Sequence, residues 1–436
     1  MTAAARVIRG RVLSFTDDPA VGGERAYSLI DDGAVLVAGG LIEAVGEARD
    51  ILLRAPSGVI IDDHAGCLVT AGFIDAHVHY SQTQVIGSYG AQLLDWLTNY
   101  TFVEEQKFAD PAHCARVAAF FLEELFRSGT TTALVYCSVH PESVDAFFTE
   151  AEALGARMIA GKVMMDRDAP EALMDTAERG YDESKALIER WRGRGRLDYA
   201  ITPRFAVTST HAQLEAAGAL AREYPGAYVQ THADENKAEI ARVAELFPEA
   251  ESYIDVYARA GLLGPRSVIG HCIHLQESEV AALAESRSVA AFCPTSNLFL
   301  GSGLFDHARL RRAGARIALA TDVGGGTSYS MLRTAAEGYK VLQLNGQSWP
   351  PLEAFYRMTL GNARALSLDG RIGSIEAGKE ADLVVLDPRA TPALAHRMET
   401  AGGDLEVELF ALMTLGDDRA VHETYVAGEP RKGGRA

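Results

Sequence analysis

No stretch of about 18 consecutive apolar residues occurs anywhere in the chain, which excludes a hydrophobic membrane-spanning helix. No CxxC pair is present, and the five cysteines (Cys67, Cys114, Cys137, Cys272 and Cys293) are odd in number and scattered, which points to a reduced protein of the cytoplasm. Neither GxGxxG nor GxxxxGKS/T occurs, so a nucleotide-phosphate cradle has no support. The first eleven residues lack the apolar core of a signal peptide. Positive charge is scarce: 41 Lys and Arg stand against 59 Asp and Glu, a formal net charge of −18. The acidic residues are spread along the chain, and their field repels phosphate backbones and anionic lipid. Nucleic acid and membrane surfaces are therefore excluded as expected partners, and an uncharged small molecule is favoured.

What is present is the composition of a folded protein: 48% of the 436 residues are hydrophobic and 23% are charged. That length exceeds one ordinary core and predicts a large domain plus a smaller one. Extended patterns at residues 6–15 and 34–45, the second broken by Gly39-Gly40, read as hairpin strands, and a similar texture returns only near the far end, where residues 373–382 lead into a short apolar strand at 383–386. The two terminal segments are expected to pair. Between them lie eight short apolar runs rich in β-branched residues, at 72–77, 130–136, 156–163, 197–202, 227–232, 267–271, 288–293 and 316–322. Helical patterns separate most of them, as at 111–127, which begins with proline and has Gly129 just beyond its end. The expectation is an α/β fold: a (β/α)8 TIM-like barrel at 69–370, with a small β-sandwich domain formed from 1–68 and 371–436.

In such a barrel the working residues lie at the carboxyl ends of the strands. His77 and His79 close the first run two residues apart, a spacing that in an extended chain points both side chains to one face. His232, His271 and Asp322 end the fifth, sixth and eighth runs. A lone buried histidine is more often a satisfied interior residue than a ligand, but four of the twelve histidines falling at strand ends on one rim argue for a metal site. His113, His211, His307, His396 and His422 sit in helices or tail segments and read as ordinary residues. Imidazoles with one carboxylate suit zinc and also admit iron, cobalt or manganese. Glu235, three residues after His232, is placed to shuttle protons near the metal; the rival role is helix capping, which suits Asp234 and Asn236 better.

The motif Gly72-Phe73-Ile74-Asp75-Ala76-His77-Val78-His79, joined to the later His, His and Asp strand ends, resembles the amidohydrolase superfamily over almost the whole chain. Within it the chain is most similar to the guanine deaminases, through residues 79–84, 89–97, 100–102, Pro203-Arg204-Phe205-Ala206, 293–303 and 321–331. That resemblance implies zinc-dependent conversion of guanine to xanthine and ammonia in purine catabolism, by a homodimer. It also implies one zinc ion per chain held by His77, His79, His232 and Asp322, with His271 beside the activated water, Glu235 as proton carrier and Asp322 as the group that takes the water's proton. Gln82, Arg204 and Phe205, with His232, would contact the purine base; taken without the resemblance, Arg204 reads as a surface ion pair and Phe205 as core packing. Asp234 and the Cys272-Ile273-His274 segment depart from the family pattern and bear on fine substrate preference. Two-metal relatives carry a lysine at the end of the fourth strand, where this chain has Pro203-Arg204, and Lys162 falls on the third, so a single metal is expected. The rival readings are a deaminase of another purine, a pterin or an adenine derivative, a cyclic-amide hydrolase, and a scaffold without activity. The zinc deaminases that use HxE with PCxxC are excluded by the absence of PCxxC.

Overall fold

A computed structural model of the chain describes residues 5–90 and 92–432. Ala91, within the 89–97 segment, and the outermost residues of both terminal segments lie outside the described residues. Each of the eight apolar runs forms a strand: β1 (Phe73–His79), β2 (Thr130–Tyr136), β3 (Arg157–Gly161), β4 (Asp198–Pro203), β5 (Tyr228–Ala233), β6 (Ser267–His271), β7 (Val289–Phe292) and β8 (Arg316–Leu319). They pair in parallel, in chain order. At least one residue from every strand (Ile74, Leu134, Ile159, Ala200, Tyr228, Val268, Val289 and Ala318 among them) joins a single buried cluster, which makes the centre a packed core rather than a channel. The helix Pro111–Arg127 starts where expected, because the Asp110 carboxylate accepts the Ala112 N–H at 3.0 Å. It ends before Gly129, whose φ of 85° suits glycine.

The first and last strands meet through the segment that follows β8. His79 N–H donates to Val323 O at 2.7 Å and Asp322 N–H to His77 O at 2.9 Å. Below these bonds the buried Asn362 side chain stitches the seam: Nδ2 donates to Ile74 O (2.6 Å) and Leu319 O (2.7 Å), while Oδ1 accepts Leu319 N–H (2.9 Å). Two of the strand ends that differ from the sequence reading bear on the site. β1 runs on to His79, and the ladder of β8 stops at Leu319, so Asp322 lies three residues beyond it. There the backbone adopts φ 52°, a left-handed turn that takes the chain out of the strand once its N–H has been given to His77.

The terminal segments form a separate seven-stranded sheet, in the order Glu429–Pro430, Val421–Val426, Leu383–Leu386, Ile60–Ala71, Arg6–Phe15, Tyr27–Ala38, Leu41–Glu47. Its two halves join where Leu383–Leu386 runs antiparallel to Ile60–Ala71. The expected sandwich takes the form of this one sheet curled on itself: Ile42 N–H donates to Lys379 O at 2.8 Å, and Ile8, Val12, Val37, Val69, Leu383 and Val385 fill the enclosed face. The hairpin turn at Gly39-Gly40 has positive φ at both residues, as its composition predicts.

Candidate active site

The carboxyl ends of β1, β5 and β6 and the loop after β8 bring all five expected side chains together. His77 Nε2 lies 3.3 Å from His79 Nε2, and His79 Nε2 lies 3.3 Å from His232 Nε2. Asp322 Oδ1 is 3.3 Å from both His77 Nε2 and His79 Nε2. The four ligand atoms all lie within 4.8 Å of one another. A shift of register in β1 between Asp75 and Val78 accompanies the convergence of the two histidines, and Gly270 makes room for it: a Cβ there would stand 2.6 Å from His77 Cε1.

The donor set fits a single divalent cation. His232 donates from Nδ1 to Arg204 O at 2.7 Å, which leaves the Nε2 lone pair free to face the other three groups. Burial holds His79 and His232 neutral, the form that ligates: it pushes His79 down to about 3 and His232 well below the usual histidine range, with neighbouring imidazoles adding to both shifts. Burial opposes ionisation of Asp322, but the imidazoles of His77 and His79 against its carboxylate, with His271 nearby, outweigh that and hold the carboxyl well below its ordinary value.

His271, at φ 71°, stands beside this group with Nε2 3.3 Å from Glu235 Oε2 and 3.7 Å from Asp322 Oδ2. Its Nδ1 meets Asn297 Oδ1 at 2.9 Å. Glu235 is buried, and that burial, reinforced by Asp322, raises its carboxyl to about 8. Ser302 Oγ donates to Glu235 Oε1 at 2.9 Å, and His274 Nε2 donates to the Ser302 carbonyl at 2.8 Å, so the extra imidazole noted in the sequence braces the loop behind Glu235. A cavity opens over the cluster, lined by His79, His232, Glu235, His271 and Asp322 together with Gln82, Arg204, Phe205, Leu93, Trp96 and Leu97.

Three sequence expectations change. Asp234 does not cap the following helix: it is buried at φ 55°, its carbonyl accepts Ile273 and His274 N–H at 3.0 Å each, and Asn236 alone caps, through a capping box with Glu239. Burial, with Glu279 and Glu239 nearby, raises the Asp234 carboxyl well above the usual range. Arg204 is not on the surface; it is buried against Glu105, with Nη1 2.6 Å from Oε2. Asp322 stands past the end of its strand rather than on it, as described above. Lys162 lies in a buried ion pair with Asp175 at 2.5 Å and near Glu183 at 3.3 Å. A second possible ligand group, His271, Cys293 and Asp322, shares its carboxylate with the first. Burial raises the Cys293 thiol well above its ordinary value, so that group offers no thiolate.

Sequence reasoning assigned no role to Glu105, Asn297, Ser302 or Asn362. For Glu105 a signal existed: Thr101, Glu105 and Phe108 recur at i, i+4 and i+7, and all three are buried, so the carboxylate sits on the inner face of its helical segment.

The amidohydrolase family model matches residues 68–431. The guanine deaminase of Escherichia coli (strain K12) is 48% identical over 403 residues, covering 92% of this chain and 92% of that protein. A solved structure of E. coli guanine deaminase superposes with a TM-score of 0.94 at 45% identity, covering 98% of this chain and 99% of that one. A guanine deaminase from C. acetobutylicum with bound guanine in the active site superposes with a TM-score of 0.87 at 26% identity, again over 98% and 99% of the two chains. The chain belongs to the amidohydrolase family and, within it, to the guanine deaminases.

Proposed function

We propose that this chain hydrolyses guanine to xanthine and ammonia, with the barrel at residues 69–370 as its catalytic domain and one zinc ion held by His77, His79, His232 and Asp322. The observation that carries the reading is one cavity lined both by His79, His232 and Asp322, three of the four residues whose ligand atoms lie within 4.8 Å of one another, with Glu235 beside them, and by Gln82, Arg204 and Phe205, hydrogen-bonding groups and an aromatic ring suited to a purine. Zinc in that place would supply Lewis acidity, making water easier to deprotonate near neutral pH.

The chain's own groups do the rest. Asp322 is ionised and accepts the proton released from the attacking water. His271, fixed by Asn297 and facing Glu235 and Asp322 with Nε2, orients that water. Glu235, protonated near neutral pH, delivers its proton to the ring nitrogen next to the amino-bearing carbon, which lowers the barrier to addition; the proton that Asp322 took from water then goes to the amino group, so that it leaves as ammonia, and the hydroxyl proton of the adduct returns to Glu235 as the new carbonyl forms. Arg204 donates to the guanine carbonyl, Gln82 pairs with a ring edge, Phe205 stacks on the base and His232 flanks it. A single metal fits Lys162 being committed to Asp175 rather than to the cavity.

The test is ammonia release from guanine and related purines, pterins and adenine derivatives, with metal content measured on the same sample. Guanine is the expected preferred substrate, with one zinc per chain; absence of guanine turnover by the metal-loaded protein overturns the reading. Glu235→Gln is expected to keep the metal and lose about 10²–10⁴ in turnover. Five unpaired, buried cysteines fit a reducing compartment such as the cytoplasm, where the enzyme would act in purine catabolism. The homodimer that the resemblance implies is checked by light scattering.

A further inference from the structure

Glu105 does not line the cavity, yet both oxygens of its carboxylate hold side chains that do. Oε2 receives Arg204 Nη1 at 2.6 Å. Oε1 receives Gln82 Nε2 at 3.2 Å and Ser81 Oγ at 3.3 Å. Gln82 is held from its other end as well, because its Oε1 accepts Gly324 N–H at 3.3 Å; turning the amide over would set its oxygen against the carboxylate. The Arg204 guanidinium also lies 5.4 Å from the Phe102 ring centroid. Arg204 and Glu105 are both buried, so solvent screens neither charge well.

A guanidinium backed by a carboxylate offers N–H donors without a net charge. An uncharged oxo-purine still receives the hydrogen bond. A purine anion, however, meets attraction from Arg204 and repulsion from Glu105 just behind it, and gains little for the hydration it gives up. From this we infer that Glu105 is a positioning and specificity-determining residue: it neutralises Arg204 and orients Gln82, so that the recognition face takes a neutral oxo-purine and discriminates against an anionic one. The inference rests on the functional reading above only in taking Arg204 and Gln82 as the groups that face the base.

The test compares two near-isosteric inhibitors in slightly acidic buffer, xanthine as the neutral form and 8-azaxanthine as the monoanion. Their binding is measured by calorimetry on the zinc-loaded protein, alongside guanine turnover. Glu105→Gln is expected to shift the affinity ratio toward the anion and Arg204→Gln to shift it toward the neutral base, while the double variant returns to near the parent ratio. Each single shift should be roughly tenfold or more, as a unit charge within about 7 Å gives at an effective dielectric of about 20. Glu105→Asp keeps the charge and should keep the parent ratio, so the charge assignment stays open to refutation even if Glu105→Gln fails to fold. Ratios that do not move, or that move the same way in both single variants, overturn the inference while leaving guanine turnover as evidence for the function. Loss of guanine turnover in the parent, with the ratios shifting as stated, overturns the function and sustains the charge assignment.

Discussion

Removing the Glu235 carboxylate should make the metal-free protein more stable at alkaline pH. In the folded chain this carboxyl titrates at about 8 against 4.5 for the ordinary group, because burial and then Asp322 penalise its charge. With the folded value raised, the linked stability is fully present below pH 4.5 and is lost progressively as pH rises through about 8. At about 1.4 kcal/mol per pH unit across that interval the full loss is about 5 kcal/mol, and relaxation around an ionised carboxylate brings the expectation to about 2–5 kcal/mol. Glu235→Gln preserves the acceptor for Ser302 Oγ and removes the titration. Urea-unfolding midpoints of the chelator-stripped parent and variant, measured from pH 5 to about 8.5, should therefore diverge as pH rises, with the variant gaining. Asp75 is common to both chains and cancels in the difference, whereas Glu239, whose carboxyl Glu235 helps to raise, is relieved in the variant and adds to its gain. Adding zinc should narrow the gap, because a nearby cation favours the carboxylate. Midpoints that stay parallel over the whole range refute the argument.

Asn362→Ala strands Leu319 N–H and the carbonyls of Ile74 and Leu319 at the barrel seam; the expected loss is about 3 kcal/mol in chemical unfolding, with weaker zinc retention in a chelator competition. Lys162→Met leaves Asp175 buried without its cation and should cost about 3–5 kcal/mol, measured in the same way, whereas replacing both members by apolar residues should cost much less. Burial holds His79 near 3, so the metal-free protein should lose stability as pH falls from about 6.5 toward 3, where the unfolded histidine is charged and the folded one is not; a thermal-melting series across that range checks the slope. Arg204→Ala should raise the KM for guanine and leave zinc content unchanged, read by steady-state kinetics and metal analysis on one preparation.

The eight barrel strands were legible because each is a short segment buried along nearly its whole length, with helical patterns between. The convergence of His77, His79, His232 and Asp322 was legible for a different reason: histidine is sparse, and the working residues of this fold gather at strand ends. The strand Ile60–Ala71 escaped notice because its first half is Ile60-Ile61-Asp62-Asp63-His64, largely solvent-facing, and only residues from Cys67 onward are buried. Glu105 escaped because its partner Arg204 lies 99 residues further along, and nothing local marks an ion pair that tertiary structure alone creates. Asp234 was misread because Asp, Glu and Asn in succession all suit a helix start, and only backbone geometry shows that Asn236 takes the position and Asp234 turns inward. Asn362 looks like any polar residue near a helix end until the seam it bridges is seen.

The bonds between His77 and Asp322 and between His79 and Val323 tie two ends of one polypeptide loop together at the place where the ligands gather. A ribosome releasing this chain from its amino end would thus have both histidines of the first strand exposed long before their aspartate emerges. Capture of a cation by all four candidate ligands would have to wait until more than two thirds of the polymer has been made and the circle of strands has shut. Metal uptake followed during refolding should accordingly track the slowest, ring-closing phase rather than early collapse.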